Sequence, residues 1–554
     1  MTYLITGIPK DTNEESPIRQ DVDDWYLEQT GPSGNRIQLT LFVEALIIMQ
    51  NRSTTDDLSY FGLAGIHGAP WSGWGGQTSD HQTKDENFCV HNDYTFPTWH
   101  RVYMALFEQV VYEAMTEFIN DKVPTEWQTE CHKEAKTWRL PYWDFARFAR
   151  GTNEIRLPII ATIPMVTINV FGSPVSTQRK SNPLYKFQTE SLMGDLGIRD
   201  QGEEGPFHKC RSTTRYGLLD GYNEDVWADG GQNWLRANLA LNEHPWNRDP
   251  TVWEGFRTLQ EAVFQLLKTS GGSWSSFSST KYKEGSEQKG YTNLEFIHNN
   301  IHNWVGGFLF RRPTASSRLK LWGGGHMASV SVAAFDPIFW LHHCNIDRLT
   351  AIWQKLNNSS WFDGDSEGVH HSQLTPFHNR NGNLFVSDDV RNWTDLNYDY
   401  AITKKDEKDI RDDIATLYAL EGSPFQINIF FGQPDGKDFH DLGSRNFVAS
   451  VFNFSSAIKN SNCGNCIEQK KRGIYSEAQL PATLAVWSHQ ELEKTNKEPE
   501  VFYVVVNSRG ESVTLDDEAI TVDLYRINEG RGVDSPEDHR YKKAVNGRRA
   551  TVDY

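Results

Sequence analysis

The chemistry of this chain is concentrated in six histidines. His67 lies in HGAPW, His91 in FCVHNDYTF and His100 in PTWHR; His298 and His302 lie in LEFIHNNIHNW, and His343 in FDPIFWLHHCNIDR. Imidazole suits copper, zinc, iron and nickel. Two sets of three imidazoles with no carboxylate among them favour copper over iron or manganese. Paired copper ions are suited to O2 chemistry, so an oxidase or an oxygen carrier is the first reading.

The spacing says which elements must hold these rings. His298 and His302 are four apart and share one face of a helix. Glu295 lies three before His298 on that face, placed to orient a water near a metal or to take a proton through it. Phe339 and His343 are four apart, as are His343 and Asp347. A packed ring and a carboxylate one turn on can fix a ligand imidazole. His91 and His100 would point apart on one continuous helix. The break at Phe96-Pro97 lets a loop ligand meet a helix ligand, and His67 must come from a distant loop. His81, His132, His326 and His342 are left over and read as structural or surface residues.

Along the chain, residues 36–50 read as an apolar helix and 51–96 as loop. A helix starts near Pro97, which is tolerated at a first helical position. Residues 150–250 read as extended surface loops, 253–269 as a helix, and 270–290 as a Gly, Ser and Lys-rich lead into the His298 helix. The DPIFW helix has Asp336 as its N-cap and runs to about Leu356. After about residue 395, short runs such as FQINIFF, RNFVASVFNFSS, ATLAVWS, EVFYVVV and SVTLD suggest a β-sandwich. The tail from about residue 528 is polar and charged.

Composition narrows the partners. Asp and Glu number 73 against 55 Lys and Arg, a net charge of −18, which argues against nucleic acid and anionic membrane surfaces. No run approaches the roughly 18 apolar residues of a membrane span. The 6 cysteines are too sparse for a disulfide framework. MTYLITGIPK carries no basic segment followed by a long apolar core. A reduced, cytoplasmic protein is expected.

Two motifs are specific. The first is H-x4-F-P-x-W-H-R with a later Glu: His91, Phe96, Pro97, Trp99, His100, Arg101 and Glu108. The second is D-P-x-F-W-x-x-H-x-x-x-D: Asp336, Pro337, Phe339, Trp340, His343 and Asp347. With LEFIHNNIHNW they span residues 60–355, followed by Tyr398-x-Tyr400 and a β-rich region carrying a C-x-x-C. In these the chain resembles the tyrosinases, type-3 copper phenol oxidases, and most closely the fungal ones.

The resemblance implies a mainly α fold. A four-helix bundle over residues 1–395 would hold two copper ions, CuA on His67, His91 and His100 and CuB on His298, His302 and His343. Residues 396–420 would form a linker with an activation cleavage, and 421–554 a β-sandwich-like shielding domain. The resemblance also implies a thioether between Cys89 and His91, a substrate entrance beside Val330 and Phe339, and a water held by Glu295 and Asn299 that deprotonates a monophenol. Phe454, or alternatively Phe452, would sit over the coppers as a placeholder, and Cys463 and Cys466 would pass Cu(I) inward, since soft thiolates favour it. The implied reaction uses O2 to convert monophenols to o-diphenols and o-diphenols to o-quinones. Small phenols and an activating protease are the implied partners, and the oligomeric state stays open, a homo-oligomer included. The competing readings are a catechol or o-aminophenol oxidase without hydroxylation, and a haemocyanin-like oxygen carrier.

Overall fold

The structure, a computed structural model, describes residues 2–10, 14–78, 87–152, 154–218, 223–243, 259–268, 272–282, 292–311, 322–358, 360–414, 425–431, 447–453, 501–507 and 512–513. Two compact units emerge, Met1–Ala149 with Asn153–Ile410, and Arg150–Thr152 with Arg411–Tyr554. Phe454, Cys463, Cys466, His81 and the run ATLAVWS lie outside the described residues.

The first unit is built on helices. Helix α1, Ile37–Asn51, buries residues on almost every side, as an apolar stretch with one Glu should. Helix α2, Phe96–Lys122, has a proline in its first turn and packs against α1. Helix α3, Thr125–Thr137, covers both. Helix α4, Leu294–Gly306, is N-capped by Asn293, whose side chain accepts from the Phe296 amide, and ends at Gly307 with φ 88°. Helix α5, Ile338–Leu356, is buried along nearly its whole length and packs on α2 and α4. Phe107 of α2 and Trp340 of α5 stack with ring centroids 3.7 Å apart, which locks the two ligand helices together.

A second lock is ionic. Strand Ile18–Arg19 pairs in parallel with strand Asp399–Tyr400. Arg19 thereby reaches Glu108 of α2 at 2.9 Å and Asp347 of α5 at 3.0 Å. Arg101 of α2 reaches the other Asp347 oxygen at 2.5 Å, and the Tyr398 and Tyr400 hydroxyls donate to Asp347 at 2.5 and 2.8 Å. All six side chains are buried.

Several expectations change here. Residues 51–96 are not all loop, since Tyr60–Gly65 is a helix capped by Ser59. Residues 150–250 do not simply coat the surface. They contain a hairpin of Met165–Val170 with Ser176–Ser181, and they bury Phe187, Phe207, Thr214, Arg215 and Trp227. The helix expected over 253–269 is described as Leu259–Lys268. The segment expected as linker is ordered over its first half: Tyr398, Tyr400 and Ile402 are buried, and Glu407–Ile414 is helical. The first unit therefore extends past residue 395, because the tyrosine pair is needed to complete the buried ion network.

In the second unit the described strands form one antiparallel sheet in the order Ser512–Val513, Val501–Asn507, Phe425–Phe431, Phe447–Asn453. Phe430, Phe502 and Val506 form its apolar cluster, with Phe447 and Val504 against it. Alternation along 502, 504 and 506 places these residues on one face of the strand.

Candidate metal centre

The six expected histidines converge. His298 and His302 project from α4 and His343 from α5; the His343 Nε2 lies 3.2 Å from that of His298 and 3.4 Å from that of His302. His100, in the first turn of α2, stacks on His343 at 4.5 Å. His67 arrives on the loop after Tyr60–Gly65, with ring centroids 5.3 Å from His91 and 5.7 Å from His100. His91 and His298 stack at 5.6 Å and join the two sets.

Backbone carbonyls fix the orientation of the rings. The Nδ1 of His67 is 2.8 Å from the Val330 carbonyl, that of His100 2.8 Å from Phe96, and that of His302 2.7 Å from Met327. The His298 Nδ1 faces the Asn299 side-chain oxygen at 2.9 Å. An Nδ1–H donated to oxygen leaves the Nε2 lone pair free for a metal. The three carbonyl acceptors, unlike Asn299, do not show in a side-chain pattern. Close backbone approach makes them possible. A Cβ on Gly68 would lie 2.5 Å from the Ser331 backbone, and one on Gly306 2.3 Å from the Ala328 amide.

The environment keeps the imidazoles neutral. Burial, the largest cause, pushes His91 down to about 3 and His302 to about 4, and holds His67, His100, His298 and His343 well below the usual histidine range. Neutral imidazole is the form that binds a metal. The Nε2 atoms of His67 and His100 are buried with no hydrogen-bond partner, and the three Nε2 atoms of the other set face one another. Converging lone pairs without donors are costly unless a cation lies between them. The residues therefore fit a pair of ions held by imidazole alone.

Glu295 is buried in the first turn of α4 and is more heavily engaged than the sequence suggests. Its Oε2 accepts from the Ser279 hydroxyl at 2.8 Å and from the Thr280 amide and hydroxyl at 2.8 and 2.9 Å; its Oε1 accepts from the Asn92 amide. It thus ties the segment after His91 to α4. Cys89 is buried and groups with His67 and His91, its sulfur within 4.8 Å of a ring nitrogen of each. Val330 is 40% exposed at the same turn whose carbonyl holds His67. Phe339 does not line an entrance. It is fully buried, 4.2 Å from the His343 ring and 4.9 Å from His67, wedged between the two ligand sets.

One further reading needs correction, and one set of alternatives is decided. Asp347 does not hold His343: both its oxygens are taken by Arg19, Arg101, Tyr398 and Tyr400. Of the histidines read as structural or surface, His326 and His342 are fully buried. His326 accepts from the Thr214 amide at 3.2 Å and packs on Phe207, a structural role. His342 lies against the second ligand set, its ring nitrogens within reach of those of His298, His302 and His343. Adjacent residues on a helix are about 100° apart, so the face that carries His343 does not by itself predict where His342 lies.

A dinuclear centre of neutral imidazoles, five of them buried and His91 partly so, three from loops and α2 and three from α4 and α5, defines a type-3 copper protein. The family profile described as the common central domain of tyrosinase matches residues 57–356, and the tyrosinase C-terminal domain matches 414–507. A tyrosinase of Aspergillus fumigatus is 38% identical over 89% of this chain and 86% of its own. Among solved structures, an apo-protyrosinase of Aspergillus oryzae aligns with a TM-score of 0.69 at 54% identity, covering 92% of each chain. A copper-bound variant of an active tyrosinase from the same organism aligns with a TM-score of 0.71 at 58% identity, covering 76% of this chain and 100% of that one. The chain belongs to the tyrosinase family. It is a copper oxidoreductase that uses O2 to hydroxylate monophenols and to oxidise o-diphenols to o-quinones.

Proposed function

We propose that the protein is a latent tyrosinase. In this reading a small phenol reaches the centre past Val330, and a protease releases its activity. The carrying observation is the pair of converging imidazole sets beside a half-exposed Val330. Solved relatives include both pro-enzyme and active forms, and one copper-depleted active form holds L-tyrosine. When bound, the two copper ions supply electron transfer between the phenol and O2. The chain's own part is to orient the ligands, hold the phenol and take its proton.

Cleavage is supported by local exposure. Lys404 to Asp409 is a run of exposed residues between the buried Thr403 and Ile410. Lys404 is tethered there by an ion pair to the exposed Glu15. Exposed polar segments are preferred sites of nicking. Oxygen uptake with L-tyrosine and with L-DOPA is expected to be low in the intact protein and to rise at least about tenfold after limited proteolysis at Lys404 or Lys405. Full activity of the intact protein without detergent would sink the latent reading. Cleaved, copper-loaded protein that oxidises no catechol would leave an oxygen carrier.

A phenol with a pKa near 10 needs a proton acceptor at neutral pH. Glu295 receives three of its donors on Oε2 and one on Oε1, so Oε1 keeps a lone pair for a water. Asn299 is exposed beside it and bonded to the ligand His298. Glu295→Gln should lower the ratio of tyrosine to DOPA turnover at least about tenfold, since positioned bases contribute about 10²–10⁴-fold. An unchanged ratio at full copper content would move control of hydroxylation to access past Val330.

The Cys89 sulfur lies within 4.8 Å of a His91 ring nitrogen, which supports a thioether between the two residues. Thioether formation removes one hydrogen from each residue, with the enzyme's own O2 chemistry as oxidant. Peptide mapping of copper-loaded protein should find one cross-linked fragment lighter by two hydrogens. A Cys89 that alkylates freely after denaturation would exclude the bond.

A further inference from the structure

His342 is an anomaly for a structural residue. It is fully buried, and neither ring nitrogen has a hydrogen-bond partner. A neutral imidazole always carries one N–H donor and one acceptor, so both are left unsatisfied inside the fold. An apolar ring of similar size would avoid that cost. Its neighbours are Phe145 at 5.4 Å on one side and copper ligands on the other. The His342 ring stacks on His298 at 5.2 Å, meets His302 edge-on at 4.9 Å and lies 5.0 Å from His343. One ring nitrogen from each of the four lies within 4.8 Å of the others.

We propose that His342 is a stand-by ligand of the second copper site, a fourth imidazole onto which the ion moves while the site loads and which can replace His343. This rests on the dicopper reading above. Ligands around one ion at about 2.0–2.1 Å stand roughly 3–3.5 Å apart, which His298, His302 and His343 already satisfy at 3.2 and 3.4 Å. His342 is therefore next to the resident set and not part of it. With one ring nitrogen within 4.8 Å of those of the other three, His342 is near enough to take over an ion held there, and one imidazole would be exchanged for another with no change of charge or oxidation state. The first site has no such neighbour among the described residues. The groups that contain His67 or His100 add only Cys89, His91 and His343.

The test is copper binding, read without turnover. Apo-protein is titrated with Cu(I) against a chromophoric chelator, in wild type, His343→Ala, His342→Phe and the double variant, with the first-site copper as internal control of folding. Wild type should take two coppers per chain. His343→Ala should keep the second copper with affinity reduced about 10–100-fold, the range for a perturbed ligand shell, and the double variant should keep only the first. His342→Phe alone should fill its second site at least about tenfold more slowly from the chelator. A His343→Ala protein that holds one copper, a double variant that still holds two, or unchanged filling in His342→Phe would overturn the proposal. Wild type that fails to take two coppers would overturn the dicopper reading itself, a distinguishable result.

Discussion

His100→Ala is expected to give a folded protein that has lost one copper and all detectable oxygen uptake, on monophenols and diphenols alike. His100 sits in the first turn of α2 with its Nδ1 bonded to the Phe96 carbonyl and its Nε2 buried and without a protein partner. Removing the ring takes one of three imidazoles from the first ion. No spare one replaces it, because His326 is committed to Thr214 and His342 lies with the other set. Emptying that volume costs about 2–5 kcal/mol by analogy with other large-to-small changes. Typical stabilities are about 5–15 kcal/mol, so the fold should survive although its melting temperature falls. Activity should not survive, since the reaction needs both ions. Metal analysis with oxygen electrode traces decides the matter: two coppers per chain, or residual turnover above the apo-protein, would remove His100 from the ligand set.

What could be read from the sequence depended on how local the information was. His298 and His302 are legible because one helix carries both and the spacing sets their common face. His100 is legible because Pro97 marks a helix start. His67 carries no local signal, and only the resemblance assigns it to a copper site. The main difficulties, His342 and Asp347, share a cause. The helix face of each residue is legible, whereas its environment is set where other elements cross α5. The partners of Asp347 come from residues 19, 101, 398 and 400. The carbonyls of Met327 and Val330 that orient His302 and His67 are backbone atoms, invisible to any pattern of residue types. In the second unit, β-branched and aromatic runs announced strands, but not that Phe425–Phe431 would lie between Phe447–Asn453 and Val501–Asn507.

Asp347 carries the largest expected effect on stability. If its role were to hold His343, Asp347→Ala would weaken one copper site and leave the copper-free protein nearly unchanged. The structure demands the reverse. Asp347 is the acceptor for two buried guanidinium groups and two buried hydroxyls, and its loss leaves Arg101 with the Val390 carbonyl and Arg19 with Glu108 and the Tyr400 hydroxyl. Replacing such a pair by well-packed apolar residues can be neutral, but removing one partner strands the other charge and costs about 3–5 kcal/mol. The copper-free variant should therefore unfold at clearly lower urea, with a melting temperature lower by on the order of 5–15 °C. Tyr398→Phe and Tyr400→Phe each remove one donor to a charged acceptor and should cost less, about 1.5–3 kcal/mol. The contribution of Asp347 depends on pH. Burial opposes ionisation of Asp347, but Arg101 and Arg19 outweigh it and hold the carboxyl below its ordinary value. A depressed carboxyl contributes stability that is present above the unfolded value, near 3.9, and lost as pH falls through the folded one. The gap between wild type and Asp347→Ala should thus be constant from about pH 8 down to about pH 5 and close only in stronger acid. A copper-free Asp347→Ala protein within about 1 kcal/mol of wild type at pH 7 would show that the network merely occupies the interface of α2 and α5 without holding it together.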